Sequence, residues 1–357
     1  MPPWKMISAI SVFIFRLTSL FIAQFILLSS GPTILDTAIA DGIRMPLAQP
    51  QQLISAEFSE EWIWDEGRVR PIAIDIHPSG IITCIEARRH RLGLITAEGV
   101  YLGYGDPGGG DFGFADKIFS RFGLQLYTLD TEGRAIDYFD LRGGWQGRLD
   151  LEEAAAGAGE ELSEITDFCL DPGGDLLVLE GDSGRILRFD RFGTLVSTIG
   201  QWGSLAPSEA TAIEIDGHGW LYLLESEPPG LLVLETDGHV IGHYPLNDLR
   251  GREIQPTALA VDKWGNAFVA DSRSGEISIL PFALLGADSK IESQPPSTKS
   301  IPTWIQSPPE IEMSIDDLAV DDGGRLLVAD ARHARVWVFT LTYETTRAKA
   351  FESREEE

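Results

Sequence analysis

Cysteine is nearly absent from this chain: its 357 residues hold two, Cys84 and Cys169. That is too few for a disulfide-stapled scaffold, and both read as small buried apolar side chains. Positive charge is scarce as well, with 28 Lys and Arg against 55 Asp and Glu, a net charge of −27. A surface that acidic repels nucleic-acid phosphates and anionic headgroups, so neither is expected as a partner. Gly-x-Ser-x-Gly, His-Glu-x-x-His and a phosphate loop ending in Lys-Ser/Thr are all missing. Their absence removes the commonest hydrolase, zinc-protease and nucleotide-binding readings. The stretch "GYGDPGGGDFG" (Gly103 to Gly113) resembles a phosphate loop only in glycine count and reads as a connecting loop.

What is present begins with a distinct N-terminus. Lys5 and Arg16 supply positive charge, "LTSLFIAQFILLSS" is apolar, and "GPTILDTAIA" ends in Ala-x-Ala at Ala38 and Ala40. This order predicts a signal peptide over residues 1–40 and an exported protein, periplasmic, lumenal or extracellular, with no membrane span after cleavage. The alternative is a retained N-terminal anchor. A lead segment, 41–54, follows.

Hydrophobic residues make up 43% of the chain, enough for a sizeable core. Their arrangement repeats. "LAVDKWGNAFVADSRSGEISIL" (Leu259 to Leu280) and "LAVDDGGRLLVADARHARVWVF" (Leu318 to Phe339) stand 59 residues apart, and four more copies precede them. Each copy has an apolar run, a glycine turn, a second run ending in a carboxylate, a short gap and a third run. The carboxylates are Glu86, Asp130, Glu180, Glu225, Asp271 and Asp330, with a glycine six or seven positions before each.

Short β-rich runs joined by glycine turns are hairpins. Such a meander has two partly apolar faces and cannot bury them alone, whereas radial stacking buries both. The fold class expected is all-β: a six-bladed propeller of four-stranded antiparallel blades over residues 55–346, followed by a charged tail, 347–357. The last copy lacks a fourth run, and "SAEFSEEWIWD" (Ser55 to Asp65) precedes the first, so the N-terminal strand should close blade six. Two insertions, Asp150 to Glu164 (a short acidic helix or a loop) and the Pro- and Ser-rich Gly286 to Glu310, are placed between blades.

The pieces "AVDKWGNAFVADSRSGEISIL", "AVDDGGRLLVADARHARVWVF" and "CLDPGGDLLVLEGDSGRILRFDRFG" resemble the NHL-type six-bladed propellers of the TolB-like superfamily. The likeness covers roughly residues 70–343, good in blades three, five and six, fair in four, weak in one and two. It is specific for fold. For function it implies less, because such propellers include protein-binding, RNA-binding and enzymatic members. Gluconolactonase-like relatives imply a divalent ion at the axis, held by a Glu, Asn and Asp set with the Glu opening blade one; here that start is "PIAI" (Pro71 to Ile74), without an acid. NHL-like lyases imply histidines as ligands or bases. The six histidines here take scattered repeat positions, with His90 and His333 in the connection after a second strand.

Candidate site residues follow from the repeat. The six carboxylates sit before the same five-residue gap, where an acid accepts hydrogen bonds from turn amides, a structural role. The starts of the first strands face the loop-bearing rim and carry Asp116, Lys117, Asp167, Asp316 and Asp317, candidates for ligand binding. Asp167, Asp316 and Asp317 could supply oxygens to Ca²⁺ or another divalent ion. Trp304 is a further candidate contact. Two residues beyond these starts, Asp75 and Glu214 stand where other blades are uncharged, and buried charges need partners. Two functions are expected from this set. The first is an exported scaffold, not an enzyme, holding a protein or small extracytoplasmic ligand on the loop-bearing rim. The alternative is a divalent-metal-dependent hydrolase or lyase acting on a lactone-like or ester substrate at the axis.

Overall fold

The computed structural model describes residues 51–64, 67–106, 114–121, 123–200, 209–247, 251–281, 303–305 and 312–345. The expected signal peptide, most of the lead segment and the charged tail lie outside these residues.

The repeat folds as read: six antiparallel four-stranded sheets, each built from consecutive strands save one. The exception holds β1 (Gln51–Trp62). Blade one is β2 (Pro71–Ile76), β3 (Ile82–Glu86), β4 (Arg91–Ile95) and β5 (Tyr101–Tyr104). Blade two is β6 (Lys117–Phe119), β7 (Gln125–Asp130), β8 (Ala135–Asp140) and β9 (Trp145–Asp150). A helix, α1 (Leu151–Gly157), follows, capped by the Asp150 carboxylate accepting from the Glu153 amide. Blade three is β10 (Ile165–Leu170), β11 (Leu176–Glu180), β12 (Ile186–Phe189) and β13 (Leu195–Ile199). Blade four is β14 (Ala210–Ile215), β15 (Trp220–Ser226), β16 (Pro229–Glu235) and β17 (Val240–Pro245). Blade five is β18 (Pro256–Val261), β19 (Ala267–Asp271), β20 (Glu276–Leu280) and β21 (Thr303–Ile305). Blade six is β22 (Asp317–Val320), β23 (Arg325–Asp330) and β24 (Arg335–Thr345), completed by β1.

Burial follows radial stacking. Every residue of β3, β11 and β19 is buried, because neighbouring blades cover both faces. The outer β9 and β13 are largely open to solvent. Between blades six and one, Ile82, Ile95, Leu327 and Val338 share one apolar cluster. The hairpin glycines Gly80, Gly174, Gly219, Gly265 and Gly324 take φ from +84° to +88°, left-handed backbone that a side chain disfavours.

Closure is made by β1, which pairs antiparallel with β24 from Gln51 opposite Thr345 to Trp62 opposite Val336. It starts at Gln51, so the lead segment enters the propeller earlier than residue 55. Beyond the pairing, Trp64 Nε1 donates to the Gly99 carbonyl of blade one at 2.7 Å. The Trp62 ring packs so close to Gly99 that it leaves no space for a Cβ there. The two tryptophans thus bolt the closing strand onto the next blade.

The second insertion departs from expectation. Residues 303–305 are the fourth strand of blade five, paired with β20 through Trp304 opposite Ser278. The Pro- and Ser-rich stretch before them therefore joins the third strand to the fourth, within a blade.

Candidate functional site

The six repeat carboxylates are all buried, and all but Glu225 take hydrogen bonds in or near the turn that follows. Glu86 accepts from the amides of Arg88 and Arg89, Asp130 from Gly133 and Phe114. Glu180 accepts from Ser163 N and from Arg185, which outweighs the opposing effect of burial and holds its carboxyl below the usual range. Asp271 accepts from Gln255, Arg273 and the Ser274 hydroxyl. Asp330 takes Ser314 N, His333 N and Trp337 Nε1. Glu225 meets the His243 ring instead, which raises the imidazole pKa.

At the strand starts, the ladder between first and second strands skips a residue in blades one, three, four and five, for instance between Ile165 and Asp167. Such a bulge re-aims side chains. In blades two and six the ladder instead begins without a skip at Lys117 and Asp317, and the acids just before it end in a different place. Asp116 and Asp316 turn back into their own blades, onto Thr131 and the Ala331 amide respectively. Lys117, Asp167 and Asp317 line the central channel instead.

First strands are the inner edges of their sheets, and edge amides need partners. Asp317 of blade six accepts from Ile74 N of blade one at 2.8 Å, and Asp167 of blade three from Ile213 N of blade four at 2.9 Å. Burial pushes Asp317 up to about 7 against the opposing pull of Lys117. Burial would lower Lys117, but Asp167, Asp317 and Asp116 outweigh it and the ammonium is held above its ordinary value.

This arrangement does not fit a divalent ion. Asp316 is bonded elsewhere and an ammonium stands among the remaining two acids. Among the described residues no group of three or more His, Cys, Asp and Glu is placed to hold a metal. The channel here encloses about 30 Å³, room for a water or two.

Deeper along the axis lies a residue the sequence reading passed over. Arg121, of blade two, donates through Nη1 to the Val261 carbonyl of blade five at 2.8 Å, spanning the channel. Its guanidinium sits 3.3 Å from Glu214 and 3.6 Å from Asp75. Here is the partner those two charges required. Asp75 also accepts from the Ser120 amide and hydroxyl. Burial drives Glu214 up to about 8, with Arg121 opposing and Asp75 adding to the rise. The signal available was spacing: blade two's turn glycine, Gly123, stands seven residues before its carboxylate where the other five stand six. Its first strand has only three residues, and the chain turns into the axis at Arg121.

Past Arg121, on the hairpin-turn face, the channel widens into a recess of about 350 Å³. Ile76, Ile215, Val261 and Val320, the ends of four first strands, line it with Arg121, and the exposed turn residues Lys263 and Asp322 stand at its rim, with the carboxylates of Asp216 and Asp262 buried behind it. The remaining candidates lie away from the axis. Trp304 is in the outer strand of blade five. His333 binds Asp330, and His90 Nδ1 meets the Ala115 carbonyl, so the two share no site.

The sequence profile of the NHL repeat matches residues 314–339, in blade six. No curated protein matches the chain. The chain is a six-bladed propeller with an NHL repeat. Among solved structures, a streptogramin B lyase superposes with TM-score 0.54 at 12% identity, covering 80% of this chain and 98% of that one. A virginiamycin B lyase from Staphylococcus aureus gives TM-score 0.52 at 11% identity, covering 81% and 100%. The β-propeller domain of Cps50 (Swd1) from Myceliophteria thermophila gives 0.52 at 10%, covering 82% and 100%. At such identities the likeness is one of fold.

Proposed function

We propose that this propeller is an exported binding module that holds a protein or a small extracytoplasmic ligand, with its axis serving as a cross-braced hub. The observation that carries the reading is how the axis is filled. Lys117, Asp167 and Asp317 at one level and Arg121, Asp75 and Glu214 at the next compensate one another and tie blades together. A catalytic centre for hydrolysis or elimination needs space for substrate beside its charged groups, and the channel between these two levels is narrow. The loop-bearing rim remains the surface on which a protein partner would sit. Export rests on the basic, apolar and small-residue order of residues 1–40.

Metal analysis of the purified full chain, beside thermal melts with and without chelator, tests the reading. The expected result is no stoichiometric divalent ion and no shift. An ion held at about 100 times its dissociation constant adds roughly 2.7 kcal/mol. Such a shift, with turnover of lactones or esters, would replace this reading with the hydrolase or lyase. N-terminal sequencing of the protein recovered from outside the cytoplasm should begin at Asp41.

A further inference from the structure

Between blades two and three lies a groove that the axis does not use. Its volume is about 380 Å³, within the range of small-ligand sites, roughly 300–1,000 Å³. The blade-three turns at Gly174 and Gly193 border it, away from the loop-bearing rim. Its walls are aromatic and aliphatic. Tyr127 and Tyr138 are cross-strand partners in blade two, with ring centroids 6.4 Å apart. Leu149 of blade two and Leu176 of blade three continue the surface. Two glycines shape it. A Cβ on Gly147, opposite Tyr138 on the outer strand, would strike the Tyr138 hydroxyl, and one on Gly193 would strike Leu149. At the edge Phe192 is 84% exposed, the highest value of any large apolar side chain among the described residues. A single exposed aromatic is ordinary, but one that extends the wall of a two-tyrosine groove adds to a contact surface.

Charge sets this groove apart from the chain around it. Its lining holds two arginines and no carboxylate, where the whole chain has 28 basic residues against 55 acidic ones. Arg148 gives Nη2 to the buried Asp137 at 3.0 Å, which offsets its charge. Arg191 is exposed and has no hydrogen bond or ion pair among the described residues. Asp190, beside it in the same turn, accepts instead from the amides of Phe192 and Thr194. Exposed acids beyond about 8 Å are screened at physiological ionic strength, so the unpaired guanidinium at the edge decides what the groove attracts.

We propose that this groove binds a small organic anion, a carboxylate on an aromatic body, with the ring against Tyr127, Tyr138 and Phe192 and the carboxylate on Arg191. The site goes beyond the binding-module reading and does not rest on it, since it uses neither the axis nor the loop-bearing rim.

The test is methyl NMR on the full chain labelled at Ile, Leu and Val, titrated with phenylacetate, benzyl alcohol, benzylamine and acetate. Phenylacetate should shift the methyls of Ile136, Leu149 and Leu176, which line the groove. Benzyl alcohol and benzylamine, without the negative charge, and acetate, without the ring, should each bind at least several-fold more weakly. Arg191→Ala should weaken phenylacetate roughly fivefold. Arg88→Ala, the same loss of charge at an exposed position on the opposite rim, should leave its affinity unchanged. Equal binding of all four probes, shifts confined to other methyls, equal losses in the two arginine variants, or no shift at millimolar phenylacetate would each overturn the proposal. Metal analysis and N-terminal sequencing are blind to every one of these outcomes, so the two readings fail separately.

Discussion

Single side chains in this protein work mainly by satisfying backbone. Asp271 engages two amides and a hydroxyl while 2% exposed. Asp271→Ala should therefore cost about 1–3 kcal/mol, read as a lower urea midpoint, because those donors lose their acceptor in the interior. Arg121 is the more consequential residue. Arg121→Met strips the cation from Asp75 and Glu214 and should cost about 3 kcal/mol. Pairing it with Glu214→Gln should recover part of that loss, a non-additivity that chemical denaturation of the four variants would measure. How legible these roles were differs for a physical reason. The six carboxylates could be read because repetition marks a local role, and Glu86, Asp130, Asp271 and Asp330 each bond an amide two or three residues on. Arg121 could not, since its partners lie 46 residues before it, 93 after and farther, and no periodicity links them. The choice between Asp316 and Asp317 was hidden too, because the blade-six ladder begins at Asp317, and the alternation that tells neighbours apart holds only inside a strand whose first residue the sequence leaves open.

Among the elements, β1 and the turn it locks decide whether the ring is closed. The sequence announced this strand by a deficit at one end and a surplus at the other, and the pairing with β24 agrees. What it did not reveal was the tryptophan clamp on Gly99, which depends on a turn conformation. Gly99 has φ +82° and no space for a Cβ against Trp62. Gly99→Ala should thus destabilise by more than the roughly 1 kcal/mol of an ordinary surface change, and lower the melting temperature by several degrees. Removing residues 1–62 should be far more damaging, exposing the whole length of β24. A truncated protein that melts with the intact chain would refute the closing role of β1. The fourth strand of blade five was missed because its three residues follow a long Pro- and Ser-rich stretch, where apolar pattern is too short to read.

Taken whole, the molecule couples an acidic surface to an axis that holds protons. Burial leaves Glu214 at about 8 and Asp317 at about 7, above the values near 4 these groups have in an unfolded chain. Raised folded-state values mean that the folded protein binds more protons than the unfolded one between those limits. The resulting stability is complete below about pH 4 and is lost as pH rises through 7 to 8. Melting temperature should accordingly fall from pH 5 to pH 8, and Glu214→Gln should flatten the slope. Added salt should act in the other direction, raising the melting temperature by screening repulsion among the surplus acids.

The hydrogen bond from Ser59 to the Val338 carbonyl joins residues 279 apart in sequence. On a ribosome, which delivers the chain from its N-terminus, β1 emerges first and its partner almost last. The first strand made must wait through synthesis of five blades, with Phe58 and two tryptophans still uncovered. Closing so long a loop is slow and entropically costly, so ring closure is expected to be the final folding event. Any message cut short upstream of β24 yields a protein whose opening strand has nothing to pair with. The fold thereby checks its own completeness, and an unfinished chain shows itself by an unpaired strand at the end that was made first.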